Sequence, residues 1–97
     1  MALVTIVTRD VPDRFRGFLA SVMPEVAPCT YVSPRMSKGV RDRVWSVLSD
    51  WYANFNQGSV VMVWADSNAT GGVGIAYLGT PAKELVDLDG LWIVRKS

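Results

Sequence analysis

A chain of 97 residues, 49% of them apolar and 20% charged, is long enough for one domain with a small buried core and too apolar for disorder. It has no histidine, which removes Ser-His and Cys-His nucleophile pairs and the usual zinc sites, so any catalysis must use carboxylates, hydroxyls, basic side chains or a hard cation held by oxygens. The net charge is only +1, the lone Cys29 fits a reducing cytoplasm, and the N-terminal apolar run is too short for a signal peptide or a membrane span.

Residues 3–8 (LVTIVT) are β-branched and apolar and predict a strand. Asp10 then has the character of a helix N-cap, with Pro12 tolerated in the first turn. Phe15, Phe18, Leu19, Val22 and Met23 recur at helical spacing and predict one buried stripe, which Pro24 ends. Residues 30–33 (TYVS) predict a short strand. A second helix follows, capped either by Ser33 with Pro34 at its first position or by Ser37. Its apolar face is Val40, Val44, Val47, Leu48 and Trp51, widened by Trp45 and Tyr52.

Residues 59–65 (SVVMVWA) are a nearly continuous apolar run and predict a central strand. Residues 66–72 (DSNATGG) are a turn cluster, and residues 73–78 predict the antiparallel partner. Pro81 to Gly90 is expected to be a loop and residues 91–95 a last strand. The order β-α-β-α-β-β-β predicts an α+β, ferredoxin-like sandwich over residues 1–97, with two helices on one face of a mostly antiparallel sheet.

The charge is unevenly placed. Residues 9–43 carry seven basic and four acidic side chains, a balance of +3, and residues 44–97 carry three basic and five acidic, a balance of −2. The first half either faces an anion or is an ordinary mixed solvated surface. Asp10, at the end of the first strand, is a helix cap or a ligand for a divalent metal, the latter strengthened if a symmetric dimer brings two copies together. Arg14 and Arg16 open the first helix, and Arg35, Lys38, Arg41 and Arg43 surround the start of the second. Cations are locally unfavourable at a helix start, so either a phosphate backbone crosses both starts or the long side chains cover apolar surface with their heads in water. Trp45, Trp51 and Trp64 are placed for the core rather than for base stacking, while Trp92 is open to an interface. The glycines of residues 71–74 lack the strand-to-helix context of a phosphate loop.

Several segments, in order along nearly the whole chain, resemble the CRISPR-associated spacer-acquisition subunit in its type I-E form. They are VTRDVPDRFRGFL over residues 7–19, Glu25-Val26, Tyr31-Val32, Lys38 and Arg41 ahead of Trp45, SVVMVWA over residues 59–65, and VDLDGL over residues 86–91. The resemblance implies a ferredoxin-like homodimer whose C-terminal strand, residues 91–95, adds to the partner's sheet. It implies a DNA-binding structural subunit that bridges dimers of the CRISPR-associated integrase and holds a protospacer duplex for insertion into the repeat array. On this resemblance Arg14, Arg16, Lys38 and Arg41 contact the DNA backbone. In a ferredoxin-like layout these helix ends are expected to come to one surface.

The same resemblance implies a magnesium-dependent endonuclease, an endoribonuclease in name, acting through an acidic residue at the end of the first strand. The type I-E pattern has glutamate where this chain has Arg9. Asp10 beside it is the remaining catalytic and metal-binding candidate, and an arginine next to a metal site repels the cation. Two further readings compete with a scaffold: a Mg²⁺-dependent nuclease using Asp10 paired across a dimer, and a ferredoxin-like regulatory or small-ligand dimer.

Overall fold

The computed structural model describes residues 2–79, 84–88 and 91–95, the last two stretches as backbone strands. Strand β1 (Ala2–Arg9) leads to helix α1 (Asp13–Val22), then to strands β2 (Glu25–Ala27) and β3 (Thr30–Met36) and helix α2 (Lys38–Phe55). Strands β4 (Ser59–Ala65) and β5 (Val73–Leu78) follow, joined through a single 3₁₀ turn at residues 70–72. Strands β6 (Glu84–Leu88) and β7 (Leu91–Arg95) complete the order. The main sheet runs β2-β3-β1-β4-β5, and every neighbouring pair is antiparallel. This is the α+β, ferredoxin-like arrangement, with β1 at its centre and β5 added at one edge.

Alternation along β1 decides which side the helices cover. Val4, Ile6 and Thr8 are buried, while Leu3 and Val7 are exposed. Ile6 stands opposite Tyr31 on β3 and Met62 on β4, and all three are buried. Phe15 and Leu19 of α1 and Val44 and Leu48 of α2 close the same core from above. Phe18, Trp45, Trp51, Tyr52 and Trp64 pack against it, partly buried. The three tryptophans therefore take the core positions their spacing predicts. Val22 and Val40, expected within the apolar stripes, are exposed, Val22 as the last residue of α1 and Val40 in the first turn of α2.

The structure corrects the sequence reading at four places. Asp10 does not cap α1: it adopts a left-handed conformation, φ 55°, while Pro12 takes the N-cap position with no side-chain capping bond. The strand stays paired as far as Arg9, so the reversal into the helix is compressed into residues 10–12. Strand β3 runs through Pro34 to Met36, because a bulge between Ala2 and Val4 absorbs the irregularity and β2 pairs no further than Tyr31. Strand β2, absent from the predicted order, forms a hairpin with β3 through Cys29, whose φ is 62° and whose N–H donates to Glu25 Oε2 at 2.9 Å. The stretch expected as a loop before Gly90 contains β6, which pairs with β7 from Glu84↔Arg95 to Leu88↔Leu91. That hairpin is a separate two-stranded sheet, outside the five-stranded one. Of the two alternatives for α2, Ser37 is the cap, its hydroxyl accepting from the Val40 N–H at 3.2 Å.

Gly58 has φ +78°, and a Cβ there would run into the main-chain oxygens of Arg9 and Asp10. Gly58→Ala is expected to destabilise the fold by roughly 2 kcal/mol or more. Gly17, in the middle of α1 with open space around it, is the opposite case. Gly17→Ala is expected to stabilise by about 0.5–1 kcal/mol. Urea unfolding midpoints of the two variants against the parent check both signs, and a neutral Gly58→Ala contradicts the packing described here.

Candidate nucleic-acid interface

Helix α1 starts where β1 ends, and α2 starts where β3 ends. Because β1 and β3 are antiparallel, with Ala2 opposite Met36, the two helix starts lie at opposite ends of the sheet. Arg14 and Arg16 therefore share an end with the finish of α2, while Lys38 and Arg41 lie roughly 20 Å away, from the rise along β1. The expectation of one common surface is not met within a single chain.

The four cations also differ in how they are held. The Arg14 guanidinium carbon lies 5.3 Å from the centroids of both the Trp51 and Phe55 rings, and the residue is exposed. Arg16 stands beside the Tyr31 phenol, with Asp13 at 3.9 Å. Lys38, 80% exposed, pairs with Asp42 at 3.3 Å. Arg41 is the outlier: its side chain is only 13% exposed, its guanidinium lies 4.4 Å from the Trp64 ring centroid, and Asp42 stands at 3.8 Å. Exposed ion pairs are weak and exchange readily for a phosphate, so Lys38 remains available. Arg41 is anchored in a hollow of about 300 Å³ lined by Trp45, Met62, Trp64 and Ala76. There the Trp64 indole N–H is buried without an acceptor among the described residues, over Gly74, whose lack of a side chain makes room for the ring. Arg35 and Arg43 are exposed.

α1 begins without a side-chain cap, and Asp13 is its first-turn carboxylate. α2 has no basic residue of its own in its last turn. Arg14 reaches across from α1 and places its positive charge at that carbonyl end, which relieves the unfavourable position of a cation at a helix start. Trp51 is itself fixed by the edges of Phe15 and Phe18, with ring centroids 5.7 and 5.4 Å away. Tyr31 and Phe55, which stand against the arginines, drew no functional reading from the sequence, where Trp51 is weighed only for base stacking and assigned to the core. An aromatic in the last turn of one helix with an arginine in the first turn of its antiparallel neighbour is the signal that would have found Phe55.

Asp10 is exposed, and its main-chain oxygen accepts from Gln57 Nε2 at 3.1 Å. Among the described residues no group of three His, Cys, Asp or Glu is placed to hold a metal ion. Divalent cations of the hard type need several oxygen ligands, so one chain does not fit a magnesium site at Asp10. Trp92 lies outside the residues whose side chains are described. No helix among the described residues is long and apolar enough to cross a membrane.

Burial pushes the Tyr31 phenol above its ordinary value, and Arg16 beside it offsets part of the rise. The folded state therefore holds this proton more tightly than the unfolded chain. Its contribution to stability is complete below about pH 10 and is lost as pH climbs above that value. In Tyr31→Phe the fall in stability above pH 10 is expected to be shallower than in the parent. Urea titrations from pH 8 to 11 check this, and identical pH slopes contradict it.

A family model described as CRISPR-associated protein (Cas_Cas2CT1978) matches residues 3–93. The chain belongs to that Cas2-type CRISPR-associated family.

Proposed function

We propose that this Cas2-type chain is the type I-E form of the spacer-acquisition subunit and works as a DNA-binding scaffold. In this reading it forms a homodimer, bridges dimers of the CRISPR-associated integrase and holds a protospacer duplex for insertion into the repeat array. The observation that carries the DNA-binding part is the end of the sheet where Arg14 and Arg16 stand exposed at an uncapped helix start. Free helix-start amides and guanidinium edges together suit phosphate oxygens. Phosphates are the same in every sequence, which is what a protein accepting many spacers requires.

The second cluster, around Lys38, supports a longer track. Two clusters roughly 20 Å apart match the spacing of phosphates along part of a duplex turn rather than a small ligand. Arg41 contributes less to this track than Lys38, since its side chain is only 13% exposed and lies against the Trp64 ring. The homodimer is supported by the uncovered sheet face, where Leu3, Val7 and Tyr77 are exposed side by side with Val61 and Val63. Strand β7, already outside the main sheet, is available for a partner's edge.

The competing reading is a Mg²⁺-dependent nuclease using Asp10 from two copies. Arg9 next to each Asp10 opposes it by repelling the cation. Co-purification with the host integrase, with and without a short duplex, separates these readings from a small-ligand dimer. The complex carrying Arg14→Ala and Arg16→Ala is expected to stay assembled and to bind duplex roughly tenfold or more weakly. Unchanged affinity contradicts the phosphate assignment. Mg²⁺-dependent cleavage abolished by Asp10→Ala, in place of binding without cleavage, supports the nuclease instead.

A further inference from the structure

Phe55 is a large apolar side chain left 47% exposed in the last turn of α2. It is absent from the buried core and from the residues packed against it. What it does touch is the Arg14 guanidinium, which lies 5.3 Å from its ring centroid and 5.3 Å from that of Trp51. An aromatic ring attracts a guanidinium through its π-face. The N–H donors of the guanidinium project from its edge, so a ring-held arginine keeps them for a bidentate acceptor.

The geometry points to Trp51 and Phe55 as a two-ring clamp that holds Arg14 in a preset orientation for a phosphate. They are positioning residues, acting through Arg14. This rests on the reading of Arg14 as a DNA-backbone contact. The clamp has a rigid jaw and a free one. Trp51 is locked by Phe15 and Phe18 at 5.7 and 5.4 Å, so its ring does not follow the arginine. Phe55 adds the second ring contact from an exposed position. Holding a flexible arginine before DNA arrives lowers the ordering cost at binding, which is the source of the affinity gain.

Arg41 shows the contrasting arrangement. Its guanidinium lies closer to a ring, at 4.4 Å from Trp64, yet the side chain is almost covered and faces Asp42. Contact with an aromatic ring alone does not present an arginine. Exposure is needed as well, and of Arg14 and Arg41 it is Arg14 that is exposed.

The test uses the full chain with ¹⁵N-labelled arginine and a short duplex. Phe55→Leu keeps apolar cover and removes the π-face, and Phe55→Trp keeps the face. In the parent and in Phe55→Trp, the Arg14 Nε–H signal is expected to be shifted by the rings. In Phe55→Leu it moves towards the free-arginine position while the melting curve stays put. Phe55→Leu is expected to weaken duplex binding about threefold, and Phe55→Trp to restore it. In an Arg14→Ala background, Phe55→Leu is expected to have no further effect. If the parent binds duplex and Phe55→Leu binds equally well, the clamp is wrong while the DNA reading stands. If Phe55→Leu weakens binding equally with and without Arg14, Phe55 touches DNA itself and the clamp is again wrong. If the parent binds no duplex, the DNA reading and the clamp's role fall together.

Discussion

Strand β1 is hydrogen-bonded on both sides, to β3 and to β4, and nearly everything else takes its position from that. A strand paired on both edges cannot turn its apolar residues outward without breaking two ladders, so Val4 and Ile6 must be covered from one face. Burying side chains of this size contributes on the order of 1.5–3 kcal/mol each. Both helices are drawn onto that face, and the antiparallel run of β1 and β3 forces their starts to opposite ends. Every cation of interest is distributed by this one constraint. Arg14 and Arg16 go to one end, and Lys38 and Arg41 to the other.

Placement at an end is not enough to make a cation useful, and the aromatic side chains supply the rest. Trp51 packs against Phe15 and Phe18 and also stands under Arg14, so packing and charge presentation are coupled at one residue. Trp64 does the reverse for Arg41, drawing it into the fold over Gly74. With a net charge of only +1, the chain has no strong overall field. Local clusters must act at short range, within a Debye length of about 8 Å at physiological salt. The proposed scaffold would then grip at contact more than it steers from afar.

Much of this was legible in the residues themselves. The LVTIVT run, the Phe15–Leu19 spacing and the SVVMVWA strand carry local patterns with a single physical meaning, and each matches the structure, while the cap of α2 was legible only as a choice between Ser33 and Ser37. The missed elements share a different cause. Strand β2 spans only Glu25–Ala27 between two prolines, and its existence depends on a hairpin through a left-handed Cys29 that no composition rule favours. Strand β6 needs β7 as its partner, so it is a tertiary fact. Asp10 has the residue type of a cap, but the pairing of Arg9 with Ser59 and the position of Pro12 override it. The basic residues could be named from sequence, but their separation could not, because it follows from strand direction and not from spacing along the chain.

The central claim is that the chain holds DNA by its phosphates. Equilibrium affinity of the full chain for two unrelated duplexes of equal length, measured at several salt concentrations, tests it most directly. In the proposed homodimer Arg14 and Arg16 from two copies would give four phosphate contacts, so log K against log[salt] is expected to fall with a slope of roughly −3 or steeper, the same for both duplexes. A nearly flat slope, or a strong preference for one sequence, would contradict it.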